Sequence, residues 1–178
     1  FPGRRGLRTR VSETLEVALI ADGVAPRSLY PLDVERAFKS LDRIKPHVAK
    51  WIEATPQTIT LLQANEIDFS YTYASRVKPA QASGISVQFS FDQTINLLEY
   101  VQVVRGSPNK QAAMKFMAFM LKPDRLAAFS EMLGFIPNSD KAAVLLSAGA
   151  KKWQPNMASP NNAVMDDVWW RDNYSELE

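Results

Sequence analysis

Cysteine is absent from the 178 residues, histidine occurs once and glycine only seven times. Without cysteine there is no disulfide and no thiolate chemistry, and both redox compartments stay open. The single histidine, His47, follows Pro46 at an expected strand start and reads as a surface or edge residue, not as a general base. No His/Cys cluster or H-E-x-x-H helix offers a zinc site. The glycines of "RRG" and "SGI" lack the spacing of a phosphate loop, so no metal, cofactor or catalytic set is expected. Lys and Arg number 21 against 19 Asp and Glu, a balance that points to neither nucleic acid nor an anionic membrane. Apolar runs stay short of the roughly 18 residues that span a bilayer. What the chain has in quantity is apolar content, 46%, ample for a packed core in one domain or parts of two.

Helical spacing and strand-like alternation take turns along the chain. Residues 11–26 place Leu15, Leu19 and Ile20 on one face, with Ser12 or Thr14 as cap and Gly23 and Pro26 as stop signals. Residues 31–46 repeat the plan with Val34, Phe38, Leu41 and Ile44. "HVAKWI" predicts a strand and "TPQTITLLQANE" a helix opening at Thr55-Pro56. "IDFSYTYASRV" puts Ile67, Phe69, Tyr71 and Tyr73 on one strand face before a loop, and "ISVQFSF" alternates as cleanly. Two helices broken at Lys122-Pro123 follow, then a short helix near 139–147 and a last one over "AVMDDVWWRDNYSELE". The Met and Phe series from Met114 to Leu121 covers more than half its helix, which predicts core, with part of the burial supplied by missing sequence if the chain is a fragment. The class is α/β. The basic opening, Arg4, Arg5, Arg8 and Arg10, lacks interleaved aromatics and reads as a solvated loop with one arginine pairing to a nearby acid. Asp22, Asp166 and Asp167 read as cap and surface acids.

One acid stands out. "INLLEYVQVV", residues 95–104, predicts a strand with Leu97, Glu99, Val101 and Val103 on one face. An unpaired carboxylate there costs several kcal/mol, roughly, so Glu99 is expected to be paired, protonated, or near an edge that water or a ligand reaches.

The order "LEVALIADGV", "LLQANEIDFSYTYASRV", "SPNKQAAMKFMAFMLKP", "GFIPN" and "DDVWWRDN" resembles the extracellular solute-binding proteins of bacterial ABC importers, nearest the spermidine/putrescine-binding type. The resemblance covers the whole chain but about the last half of such a protein. The chain opens without Met at "FPGRRGL", which also reads as a piece of something longer. It implies a type II periplasmic-binding-protein lobe, a mixed sheet flanked by helices, as a fragment of a two-lobed protein. Residues 1–94 would be the second lobe, 95–137 would cross to the first, mostly missing lobe, and 138–178 would return and end in the C-terminal helix.

The same resemblance carries over four ligand-binding positions. Glu13 falls on a carboxylate that faces a ligand amine, and Tyr73 on an aromatic that flanks a methylene chain. Glu99 matches an acid that holds an ammonium group, in a pattern reading Leu97-Leu98-Glu99 here, and Phe135 of "GFIPN" matches a cleft tyrosine. Arg10 stands where the polyamine binders have a second acid, Leu97 replaces their Trp and Met165 a polar Gln. The implied function is a periplasmic, non-catalytic receptor that passes a small, cationic, polyamine-like solute to a membrane permease, without nucleic acid. A smaller amine, an amino-acid-like solute or another metabolite is the runner-up. An enzyme or a sensory domain on the same fold is the alternative, which the complete gene would decide. Iron is disfavoured because Thr72 separates Tyr71 from Tyr73.

Overall fold

The basic opening is a strand, not a solvated loop. In the computed structural model, which describes residues 2–177, Arg5–Arg8 form β1. β1 is the middle of a parallel three-stranded sheet, between β2 (Val48–Ile52) and β3 (Phe69–Ser70). Gly6 permits this position. A Cβ there would lie 2.8 Å from the Cδ1 atoms of both Ile52 and Ile67, two residues that are fully buried. The missing side chain lets the neighbouring isoleucines close over the strand. Arg4 fastens the strand's start: its backbone N–H and Nε donate to Asp68 Oδ2 at 2.6 and 3.1 Å, and Nη2 donates to Oδ1 at 2.7 Å.

Helices carry the crossovers that parallel pairing requires. Between β1 and β2 lie α1 (Val11–Ala21) and α2 (Val34–Ile44); α3 (Pro56–Gln63) precedes β3 and α4 (Ala74–Ala82) follows it. Asp33 caps α2 by accepting from the Arg36 N–H at 3.0 Å. The buried side of α2 is Ala37 and Ser40, with Val34 and Leu41 against the core, so Phe38, expected in that stripe, points outward. Asp22 ends α1 and binds the guanidinium groups of Arg36 and Arg43, as a surface acid would.

Two further strands, β4 (Ile95–Asn96) and β5 (Ala163–Val164), pair in parallel. Leu15, Ala18 and Leu19 of α1 meet Leu29, Leu32, Ala37, Ala163 and Trp170 in one core, so the end of the chain closes on its beginning. Trp170 belongs to α9 (Asp167–Leu177), which Asp166 caps through the N–H groups of Val168 and Trp169.

This first unit runs to Leu98 and resumes at Pro155; Glu99–Gln154 form a second. The second consists of α5 (Lys110–Met120), α6 (Pro123–Leu133), α7 (Asp140–Ala143) and α8 (Ala148–Lys151). Its core is small: Ala127, Leu146 and Ala150. Glu131 ties α6 to α8 by accepting from the Ser147 N–H and hydroxyl at 2.6 and 2.9 Å. The helix break at Lys122-Pro123 is where the sequence puts it. α5, read as core, contains no buried residue, and Phe116 is 60% exposed.

Three alternating segments do not become full strands. Residues 97–104 have no regular structure, because β4 finds only two residues of partner in β5. Residues 85–91 are likewise irregular; Phe89 and Phe91 pack edge to face with centroids 4.8 Å apart. β3 stops at Ser70, and Tyr73 caps α4, a helix read as loop. Alternation marks a segment able to pair, but a partner decides whether it does.

Two measurements test this. Gly6→Ala should lower stability by about 1–3 kcal/mol in urea unfolding, the cost of overpacking a closed site. Arg4 holds the Asp68 carboxyl down to about 2, from an ordinary value of 3.8. The stabilisation is complete above pH ~4 and is lost as the pH falls through about 2, so Asp68→Asn should flatten the acid limb of a stability–pH curve there.

Candidate functional site at the carboxyl ends of the strands

Parallel strands deliver their following loops to one edge of the sheet, where ligands of open α/β sheets bind. Here that edge receives Arg8, the last residue of β1, the 9–13 segment leading into α1, and residues 71–73 after β3. Arg8 and Glu13 are both nearly buried, at 5% and 4% exposure. Arg8 Nη1 donates to Glu13 Oε2 and to the Tyr73 hydroxyl, each at 2.8 Å, and the Tyr73 hydroxyl donates to Glu13 Oε1 at 2.5 Å. The three groups close a ring of hydrogen bonds, and the Arg8 guanidinium also lies 5.4 Å from the centre of the Tyr73 ring. A second layer supports it: Thr14 Oγ1 donates to the Arg8 carbonyl at 3.2 Å and lies 2.5 Å from the Tyr71 hydroxyl.

Burial opposes the charge on Arg8, but Tyr73, Glu13 and Tyr71 outweigh it and leave its pKa raised. Burial raises the pKa of the Tyr73 phenol, and the hydrogen bond to Glu13 adds to it, so the phenol stays protonated. Tyr71 is raised chiefly by burial as well.

The entry to α1 is distorted. Glu13 has φ 72° and ψ −41°, and Ser12 is extended at φ −62°, ψ 143°. A non-glycine residue at such a positive φ costs on the order of 1–3 kcal/mol and persists where its surroundings fix it. The side-chain cap expected from Ser12 or Thr14 does not form. Ser12 Oγ, Arg8 Nε and Thr72 Oγ1 are instead buried without a partner among the described residues, a concentration of unmet polar groups that native cores avoid. At the surface, Arg10 holds its Nη1 3.8 Å from Glu13 Oε1 with half of its side chain exposed. Two cations therefore share one carboxylate.

Of the residues singled out from the sequence, Glu13 and Tyr73 are brought together. Glu99 and Phe135 belong to the second unit. Glu99 lies in the irregular 97–104 run, exposed and unpaired among the described residues. Phe135 is half-buried and stacks on Phe129, centroids 5.2 Å apart and planes 5° apart, while its carbonyl accepts from Gln154. Sequence reasoning missed Arg8, Thr14 and Tyr71. The available signal for Arg8 was the need of any buried Glu13 for a cation close by. Tyr71 was hidden in an alternating face that continues Ile67 and Phe69.

Residues 1–160 match the family of bacterial extracellular solute-binding proteins, and the chain belongs to it. That family membership places it outside the cytoplasmic membrane. The chain is 37% identical to a gamma-aminobutyric acid-binding protein of Pseudomonas aeruginosa, over its full length and 52% of that relative. It is 22% identical to the spermidine/putrescine-binding periplasmic protein of Escherichia coli, over 83% of this chain and 42% of that one. The chain thus spans about half the length of the curated relatives it matches. An ABC transporter substrate-binding protein from Bradyrhizobium japonicum superposes with a TM-score of 0.87 at 34% identity, covering 99% of this chain and 56% of that one. A periplasmic binding protein from A. tumefaciens R10, in complex with agropinic acid, does so with 0.86 at 33% identity, covering 98% and 56%.

Breaking the buried ring should be costly. Glu13→Gln leaves Arg8 as an uncompensated buried charge and should destabilise the protein by about 3–5 kcal/mol. Tyr73→Phe removes one neutral partner and should cost about 1–2 kcal/mol in the same denaturant titration. Equal losses would mean that the ion pair does not carry the edge.

Proposed function

We propose that the complete protein is the extracytoplasmic receptor of an ABC importer, and that it captures a small solute carrying a carboxylate as well as an amine. The observation behind this is the charge of the strand-end cluster. Arg8 and Arg10 face a single Glu13, so the group left over for a ligand is positive. Glu13 has both oxygens engaged, which makes it the support of the two arginines. Arg10, half-exposed, presents the guanidinium, whose planar fork suits a carboxylate. Tyr73, half-buried beside it, offers a ring face to an alkyl segment.

A dicationic polyamine, the ligand implied by the sequence resemblance, meets repulsion from Arg10 at this edge. An ω-amino acid does not. The relatives support this choice: one is a gamma-aminobutyric acid-binding protein and another was solved with agropinic acid. Glu99 and Phe135 belong to the second unit, so the strand-end edge alone carries this reading. Delivery would be to a membrane permease, with the first lobe in the part of the protein that this chain does not include.

The test is a thermal-shift and calorimetric panel on the full-length mature protein. γ-Aminobutyrate should stabilise it and putrescine should not. Arg10→Gln should weaken γ-aminobutyrate by about 1.5–3 kcal/mol, the scale of a hydrogen bond between charged groups. Stabilisation by putrescine alone would overturn the solute class and leave the receptor reading standing.

A further inference from the structure

α1 carries a second buried acid that the site does not use. Glu16 has no exposure at all. Its Oε1 accepts from the Tyr30 hydroxyl at 2.5 Å and from the indole Nε1–H of Trp170 at 2.6 Å; the indole also lies 3.1 Å from the Tyr30 oxygen. Oε2 has no partner, and Glu16 forms no ion pair among the described residues. Packing alone does not account for it, since the surrounding cluster is Leu15, Ala18, Leu19, Leu29 and Leu32, and an apolar side chain would fill the place at lower cost. What a carboxylate adds is direction. A single oxygen fixes three separate segments: α1, the turn at Tyr30 and α9, which returns after the second unit.

We infer that Glu16 is the positioning residue of the strand-end cluster: it locks the register of α1 against Tyr30 and Trp170 and so holds Glu13, three residues earlier, in its positive-φ conformation beneath Arg8 and Arg10. The inference rests on the solute reading above only for its binding arm. A φ of 72° is held from two sides. Arg8 and Tyr73 grip the Glu13 side chain, and the Glu16 hub grips the helix that follows. Without the hub, α1 is free to turn by a fraction of a residue and relax Glu13, and the two arginines lose their common anchor.

The experiment uses the full-length mature protein with Glu16→Leu and Glu16→Gln. Hydrogen exchange is measured without solute, and γ-aminobutyrate affinity and melting temperature are measured in parallel. Glu16→Leu should exchange about tenfold faster across residues 9–17 while α2 is unchanged, a local loosening distinct from global unfolding. Its melting temperature should fall, because the Tyr30 hydroxyl and the Trp170 indole lose their buried acceptor, and γ-aminobutyrate should bind about tenfold more weakly, within the range for coupled neighbours. Glu16→Gln keeps an oxygen for both donors and should restore exchange and affinity. Unchanged exchange over 9–17, or equal acceleration in α1 and α2, overturns the positioning role, as does undiminished affinity in Glu16→Leu. If the wild type itself ignores γ-aminobutyrate, the solute class fails, and the exchange pattern alone decides the role of Glu16.

Discussion

The Arg8–Glu13 ion pair is the constraint on which the strand-end edge depends. Each partner is almost wholly withdrawn from water, and neither charge is tolerable there without the other. Arg8 is the last residue of β1, in register with Ile52 of β2, so the pair forms where the strand ends. It dictates how α1 starts, because Glu13 reaches Arg8 only from a distorted backbone. It also orients Tyr73, whose hydroxyl serves both partners at once. From these requirements comes the net positive character of the edge, since Arg10 shares an acid that is already spoken for.

The helices were the most legible part of the fold. Helix ends carry chemical punctuation, such as Pro56, Pro123 and Asp166, and the apolar stripe of α1 repeats at a period that no strand shares. Strands were harder, for a physical reason. β1 hides in "RGLR", where the glycine that permits close packing and the arginine that serves the site both erase the apolar alternation. The reverse error falls on 97–104, where alternation is clear but no partner strand is present among the described residues.

The candidate site was half legible. Glu13 and Tyr73 could be named because a family resemblance supplied positions, and the structure puts their oxygens in contact. What the sequence did not disclose was the direction of the chemistry. Glu13 reads as a free acid awaiting a cation until Arg8 is found beside it, and the proposed change of solute from a cation to a zwitterion rests on that partner and on Arg10. The partner sits in a segment whose charges read as surface. Long-range pairing across a parallel sheet brings it to Tyr73, and no local pattern records such a meeting.

The centrality of β1 has a consequence in time. β1 precedes its neighbours β2 and β3 in the chain, and the core beneath α1 waits for Ala163 and Trp170, which come later still. The sheet and the core beneath α1 cannot be finished locally, and a topology of such distant contacts closes slowly. Until α9 arrives, Glu16 has no indole to bind and Leu15 and Leu19 have no lid. A chain that crosses a membrane before folding gains from this delay, because its early segments lack the partners that would trap them in a compact form on the wrong side.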